Sequence, residues 1–291
     1  MELALLFLCS ILACCSNAGI RLFQNRLQKT PRQLQLYQAV YMFVAAAVYL
    51  AFSGFCTPQG SLGWLLSVGF ALCLTASSIG TAESLLCGPM SLSGVIISCN
   101  VVLPIAAGWL FFKETVSVVH IIGCVLLLAT FVLTGLGPKG QKKEVGARWY
   151  LMVLLAFLAN GLGAVVVSLY AKVDVGGSDG FLGFSFLMAA LALGIYVISG
   201  RKTAPLEAKG LLKSPLFYLL VAVAATSVFG VNRMMLSLNS LLPASVLYPV
   251  YNGVTSVLLC LVSWVFFRES MNRKKLLTIG LGIAAVILLN L

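Results

Sequence analysis

Two ionisable residues and a few side-chain amides interrupt long apolar stretches of this 291-residue chain. Glu83 stands near the end of one stretch and Arg233 near the end of another. A charge inside an apolar helix is costly, so it faces a cavity or a partner. In the cavity reading, the arginine pairs with an anionic group and the glutamate with a cation or a proton. The competing reading is snorkelling toward the interface from a helix end. Asn17 and Asn160 are each followed by glycine at the next or next-but-one position. They read either as a symmetric pair of cavity amides or as interhelical hydrogen-bonding groups beside close-packing glycines. Asn232 directly precedes Arg233 and joins the candidates for the polar lining. The run Tyr248-Pro249-Val250-Tyr251-Asn252 offers two phenols, an amide and a carbonyl freed by proline. Tyr248 and Asn252 are four apart and share a helix face, and Asn100 and Pro104 repeat that spacing. These faces are expected to line the same space, although tyrosines also suit an interfacial belt. Glu114 and Glu269 each follow a basic residue at a helix end, where a local surface cap or ion pair is expected.

Other chemistry has little footing. The chain has one histidine, His120, and nine cysteines with no C-x-x-C pair and no Cys/His cluster. Neither a zinc site nor a redox motif is supported, and no cofactor is expected. Hydrolytic signatures such as H-E-x-x-H and the nucleotide loop G-x-x-x-x-G-K-[ST] are missing from the sequence.

The elements that must position these residues follow from composition. Hydrophobic residues make up 60% of the chain, charged ones 9%, and the mean hydropathy is +1.04. Soluble domains carry about 25% charged residues. A bilayer-crossing helix needs about 20 apolar residues. Ten such segments are predicted, at 3–21, 34–54, 61–85, 89–112, 117–136, 149–171, 180–199, 215–238, 243–267 and 275–290. The first lacks a basic leader region, and an uncleaved helix is expected in spite of a loose cleavage box at Ile11–Cys14.

The net charge of +11 reflects membrane topology rather than nucleic-acid binding. Sixteen of the nineteen Lys and Arg residues fall in the odd-numbered loops, which marks those loops as cytoplasmic. Both termini are then expected on the extracytoplasmic side of the cytoplasmic (inner) membrane, and the bilayer is a partner of the whole chain.

The two halves of the chain echo each other. Phe111-Phe112-Lys113-Glu114 ends the fourth span, and Phe266-Phe267-Arg268-Glu269 ends the ninth. Each is preceded by a proline at the start of its span, Pro89 or Pro243. Leu12-Ala13 before Asn17 matches Leu155-Ala156 before Asn160, and Ala76-Ser77-Ser78-Ile79 matches Ala225-Thr226-Ser227-Val228. The predicted organisation is a first five-helix repeat over 1–137, a basic linker over 138–147 and a second repeat over 148–291. Five spans per half is an odd number, so the second half enters the membrane inverted. Inverted repeats around a midplane site are a common design of secondary transporters.

These motifs resemble the drug/metabolite transporter superfamily, in particular its ten-helix EamA-like members. The resemblance rests on 111–114, 266–269, Pro89, Pro104, Pro243, and the helices containing Gly123 and Gly280. It spans nearly the whole chain and marks the fold better than the substrate. It implies helices around a central cavity, alternating access and a small metabolite or drug-like substrate, with a lean toward export or exchange. Coupling to protons or another ion and the oligomeric state are left open. The second half has Leu259 where the first has Pro104, which puts the cavity on that side in doubt. The four-helix relatives use a membrane-embedded glutamate in their first helix; the first span here has none at depth, so that coupling scheme does not carry over. An intramembrane enzyme acting on a lipid-like substrate, or a channel, is the alternative. A channel would need a filter or charged ring, and no motif of that kind is present.

Overall fold

A computed structural model describes residues 2–28, 30–87, 93, 96–114, 118–135, 146–173, 176–199, 208–265, 280, 281, 284, 285 and 288. Apolar segments in lipid must bond their own backbone groups, and these segments do so as helices. The helices are α1 (Glu2–Arg26), α2 (Pro31–Phe52), α3 (Gly60–Cys87), α4 (Val102–Leu110), α5 (Val118–Gly135), α6 (Ala147–Val173), α7 (Ser178–Ser199), α8 (Ala208–Leu212), α9 (Pro215–Leu241) and α10 (Ala244–Val265). A 3-10 turn, Cys99–Val101, leads into α4. Proline occupies the first position of α2 and α9, where its missing N–H costs nothing. At the start of α2 the Thr30 N–H donates to Gln33 Oε1 at 3.2 Å.

Among the described helices, α1, α2, α3, α6, α7 and α9 are long and apolar enough to cross a membrane. Two shorter apolar helices, Ile96–Leu110 and Ala244–Leu259, add to them. The chain is therefore an all-α, multi-pass membrane protein. α1 runs past its expected end at residue 21 because Phe23 is buried and stacks on Tyr37, with ring centroids 4.4 Å apart. The start of the expected fourth span, the basic linker, the Phe266–Glu269 motif and most of the tenth span lie outside the described residues.

Lipid tails are as apolar as leucine, so helix pairing rests on close packing and polar contacts. The broadest pairings are α3 with α6, α2 with α7 and α1 with α9. Tyr37 and Tyr49, about three turns apart on α2, donate to backbone carbonyls of α9. Tyr37 reaches Leu220 O at 3.0 Å and Tyr49 reaches Phe229 O at 2.6 Å. Five helices close a ring: α1 touches α9, α9 touches α6, α6 touches α4, α4 touches α10, and α10 touches α1.

Candidate functional site

Each helix of that ring carries one of the asparagines singled out from the sequence; Asn100 lies in the 3-10 turn leading into α4. Their placement along the helices is the informative part. Asn17 stands four, seven and eleven residues beyond Ala13, Ser10 and Leu6, all buried. Asn160 stands at the same three spacings beyond Ala156, Val153 and Trp149, again all buried. Residues at these spacings share one helix face. Asn252 follows buried Ser245 and Tyr248, Asn232 precedes buried Met235 and Asn239, and Asn100 lies between buried Ser93 and Pro104. Yet Asn17 is exposed and the other four are half-buried. Each asparagine thus continues a buried stripe while its own side chain keeps accessible surface.

The amides are also oriented alike. Asn17, Asn160, Asn232 and Asn252 each donate Nδ2–H to the carbonyl four residues earlier, at 2.8, 2.8, 2.9 and 2.9 Å. Asn100 donates to Ile97 O at 2.7 Å. A backbone carbonyl only accepts, so the atom facing it must be the NH2 group. Gly161 brings α6 against the segment before α4: a Cβ there would lie 2.8 Å from Asn100 O. Only a glycine next to Asn160 permits that approach.

Tyr248 is placed differently from the space-lining role expected for it. It is 7% exposed and belongs to a polar knot with Ser168 and Asn239. Its hydroxyl donates to Ala164 O at 2.9 Å and accepts from Asn239 Nδ2 at 3.2 Å. Asn239 Nδ2 also donates to Met235 O at 2.7 Å, and Ser168 Oγ donates to Asn239 Oδ1 at 2.6 Å. Both protons and the oxygen of Asn239 are thereby used. The knot pins α10 to α6 and α9 and leaves Tyr248 little to offer a solute. Tyr251 and Asn252, one helical step on, are half-buried. Three residues past Asn252, Thr255 is 8% exposed and its hydroxyl has no hydrogen-bond partner. Sequence reasoning missed Ser168, Asn239 and Thr255. The signal was spacing: Asn239 is seven residues past Asn232, and Thr255 three past Asn252.

Both charged candidates are ion-paired; Glu83 stands near the end of α3 and Arg233 about two turns inside the end of α9. Glu83 pairs with Arg148 at the start of α6, at 2.9 Å, and accepts from the Tyr196 hydroxyl at 3.5 Å. Arg233 pairs with Asp179 at the start of α7, at 3.2 Å, with its guanidinium about 6 Å from the Phe52 and Phe229 rings. Glu114 does cap a helix, but neither locally nor at the surface. Its carboxylate, 7% exposed, accepts from the Ala244 and Ser245 backbone N–H groups at 3.0 Å each and from the Lys172 ammonium. It thus joins the end of α4, the end of α6 and the start of α10. Burial alone would raise the Glu114 carboxyl, but the Lys172 ammonium and the bonds from Ser245 and Ala244 outweigh it and hold the group below the usual range. A Cβ on Gly108 would overlap that carboxylate, so glycine there makes the fold-back possible. Among the described residues no group of three or more His, Cys, Asp and Glu side chains could hold a metal.

The profile of the Small Multidrug Resistance protein family matches residues 208–282. That stretch covers about a quarter of the chain, running from α8 through α9 and α10. No curated protein matches. One solved crystal structure of a protein shares the fold, with a TM-score of 0.74 over 97% of this chain and 95% of that one at 15% identity. The chain is a multi-pass α-helical membrane protein with a segment similar to small multidrug resistance proteins, set in a fold already known from crystal structures.

Proposed function

We propose that the protein is a secondary transporter that moves a small solute across the cytoplasmic membrane by alternating access, as an exporter or exchanger. The observation that carries this is the closed ring of five helices, each presenting an accessible asparagine from its buried stripe. A polar, solvent-reaching interior enclosed by apolar helices is what a carrier needs to hold a solute away from lipid.

In this reading ten helices form two inverted five-helix repeats, 1–137 and 148–291. Equivalent contacts support the pairing. α1 packs on α9 as α6 packs on α3, and α1 touches α10 as α6 touches α4. Gly80 abuts the backbone of Met152 and Ala156, while Gly230, one residue past its counterpart Phe229, abuts Leu12. The match of 208–282 to small multidrug resistance proteins points the same way, and EamA-like membership is the finer form of the proposal. Both termini then lie outside the cytoplasm. Glu83–Arg148 and Arg233–Asp179 stand toward opposite faces and close the two ends of the solute path.

Purified protein in liposomes tests the reading. Saturable uptake that is accelerated by solute on the far side identifies a carrier. Flux that rises linearly without such acceleration identifies a pore and removes the proposal.

A further inference from the structure

The orientation of the asparagines limits what the ring can hold, and this inference rests on the carrier reading above. Each amide has spent one N–H on its own helix. What remains toward the interior is one N–H and a carbonyl oxygen with two lone pairs. The lining therefore offers about twice as many acceptor sites as donors. Asn239 shows what such an oxygen does when a hydroxyl reaches it: it accepts from Ser168 Oγ at 2.6 Å.

Thr255 adds an independent observation. Helical hydroxyls elsewhere in the chain bond the carbonyl one turn back, as Thr75 does to Ala71 O at 2.8 Å and Thr226 to Ala222 O at 2.8 Å. The Thr255 hydroxyl is buried on the Asn252 side of α10 and has no partner. Leaving a buried hydroxyl unpaired costs free energy, and a solute hydroxyl admitted to it as the helices shift in the transport cycle would satisfy it.

The described carboxylates stand at or near helix ends: Glu83, Glu114 and Asp179 are paired with Arg148, Lys172 and Arg233, and Glu2 lies in the first turn of α1. An ionic solute entering such a ring would lose its hydration without meeting a counter-charge. We infer that the ring formed by α1, α4, α6, α9 and α10 binds a neutral, hydroxyl-rich solute, held by the amide oxygens of Asn17, Asn100, Asn160, Asn232 and Asn252 and by the Thr255 hydroxyl.

Four probes built on four carbons each separate this chemistry from its rivals. Erythritol is a neutral polyol, 1,4-diaminobutane carries N–H donors with positive charge, tetramethylammonium is a cation without donors, and succinate is a dianion. Thermal unfolding of the full chain in detergent is titrated with each, and ligand stabilisation gives an apparent affinity. The expected result is stabilisation by erythritol alone. Thr255→Val and Asn252→Leu should each weaken it about tenfold, the scale of one lost hydrogen bond. Thr255→Val should leave the ligand-free melting temperature unchanged or raise it, since it removes an unpaired hydroxyl and keeps the shape. Stabilisation by succinate or by either cation in place of erythritol overturns the inference. So does no stabilisation by any probe, or an erythritol effect of equal size in both variants, which is polyol exclusion from the surface. Failure of liposome exchange with erythritol binding intact would remove the carrier reading and leave the site chemistry standing. Exchange of an ionic solute without an erythritol effect would do the reverse.

Discussion

Replacing Glu114 with alanine removes a group that joins three helix ends. Two consequences are directly countable. The Ala244 and Ser245 N–H groups lose their acceptor, and both residues are almost fully buried, at 0% and 2% exposure, so water cannot easily replace it. A hydrogen bond to a charged group contributes about 1.5 kcal/mol at the low end, so the pair comes to about 3 kcal/mol. Lys172 is partly exposed and regains water, so its share is small. For a chain of this size about 3 kcal/mol lowers the melting temperature by roughly 6 °C. Glu114→Gln keeps one acceptor oxygen and should lose about half as much. The pH dependence has a definite sign. The folded carboxyl titrates below its ordinary range, so its stabilisation is complete above that range and is lost as the pH falls through the folded value. The melting temperatures of wild type and Glu114→Gln should therefore converge on acidification. Thermal unfolding in mild detergent across pH 3 to 8, an interval of about five units around the ordinary carboxylate value, measures this. An alanine variant melting within about 1 °C of wild type, where the shift is large enough to resolve, would show that the clamp contributes nothing and refute the reasoning.

Gly108→Ala should destabilise wild type by about 1–3 kcal/mol through overpacking against the Glu114 carboxylate. It should cost much less on a Glu114→Ala background, and additive losses in a double-mutant cycle would contradict the contact. Tyr248→Phe should cost about 1 kcal/mol, in the range measured for polar contacts between membrane helices. Asn239→Leu should cost more because it removes the acceptor of Ser168 and the donor to Tyr248 at once; equal losses in the unfolding assay would count against the knot. Asp179→Asn and Arg233→Met should each change stability by less than about 1 kcal/mol, because the pair is partly exposed. A marked loss of liposome exchange with an unchanged melting temperature would then assign that pair to the transport cycle, and unchanged exchange would leave it structural. Cysteines introduced singly in the loops at 53–59 and 27–30 should be labelled from opposite faces of the membrane, and labelling from one face would break the proposed topology.

Lys172 illustrates where sequence reading stops. It is one of the few cations outside the odd-numbered loops, and charge counting alone treats it as an exception. The structure explains it: Glu114, brought across from α4, neutralises it. Glu114 itself reads as a local cap because its sequence neighbour Lys113 offers a nearby cation. Its actual partners lie 58 and about 130 residues away. Contacts over such separations leave no periodic trace in a single chain.

Composition and run length suffice to show that the chain is helical and lives in lipid, since long runs without charge have no other stable state there. The asparagines are legible too, because an amide stands out against an apolar background, and Asn17 pairs with Asn160 through their shared spacing. Which polar groups remain available emerges from the packing of the helices. Tyr248 and Asn239 spend their bonds within the protein, whereas on the same helix as Tyr248 Asn252 keeps one N–H and its oxygen, and Thr255 keeps its hydroxyl. That division depends on which helix lies opposite at each depth, and helix packing is set by side chains from distant parts of the chain meeting in three dimensions.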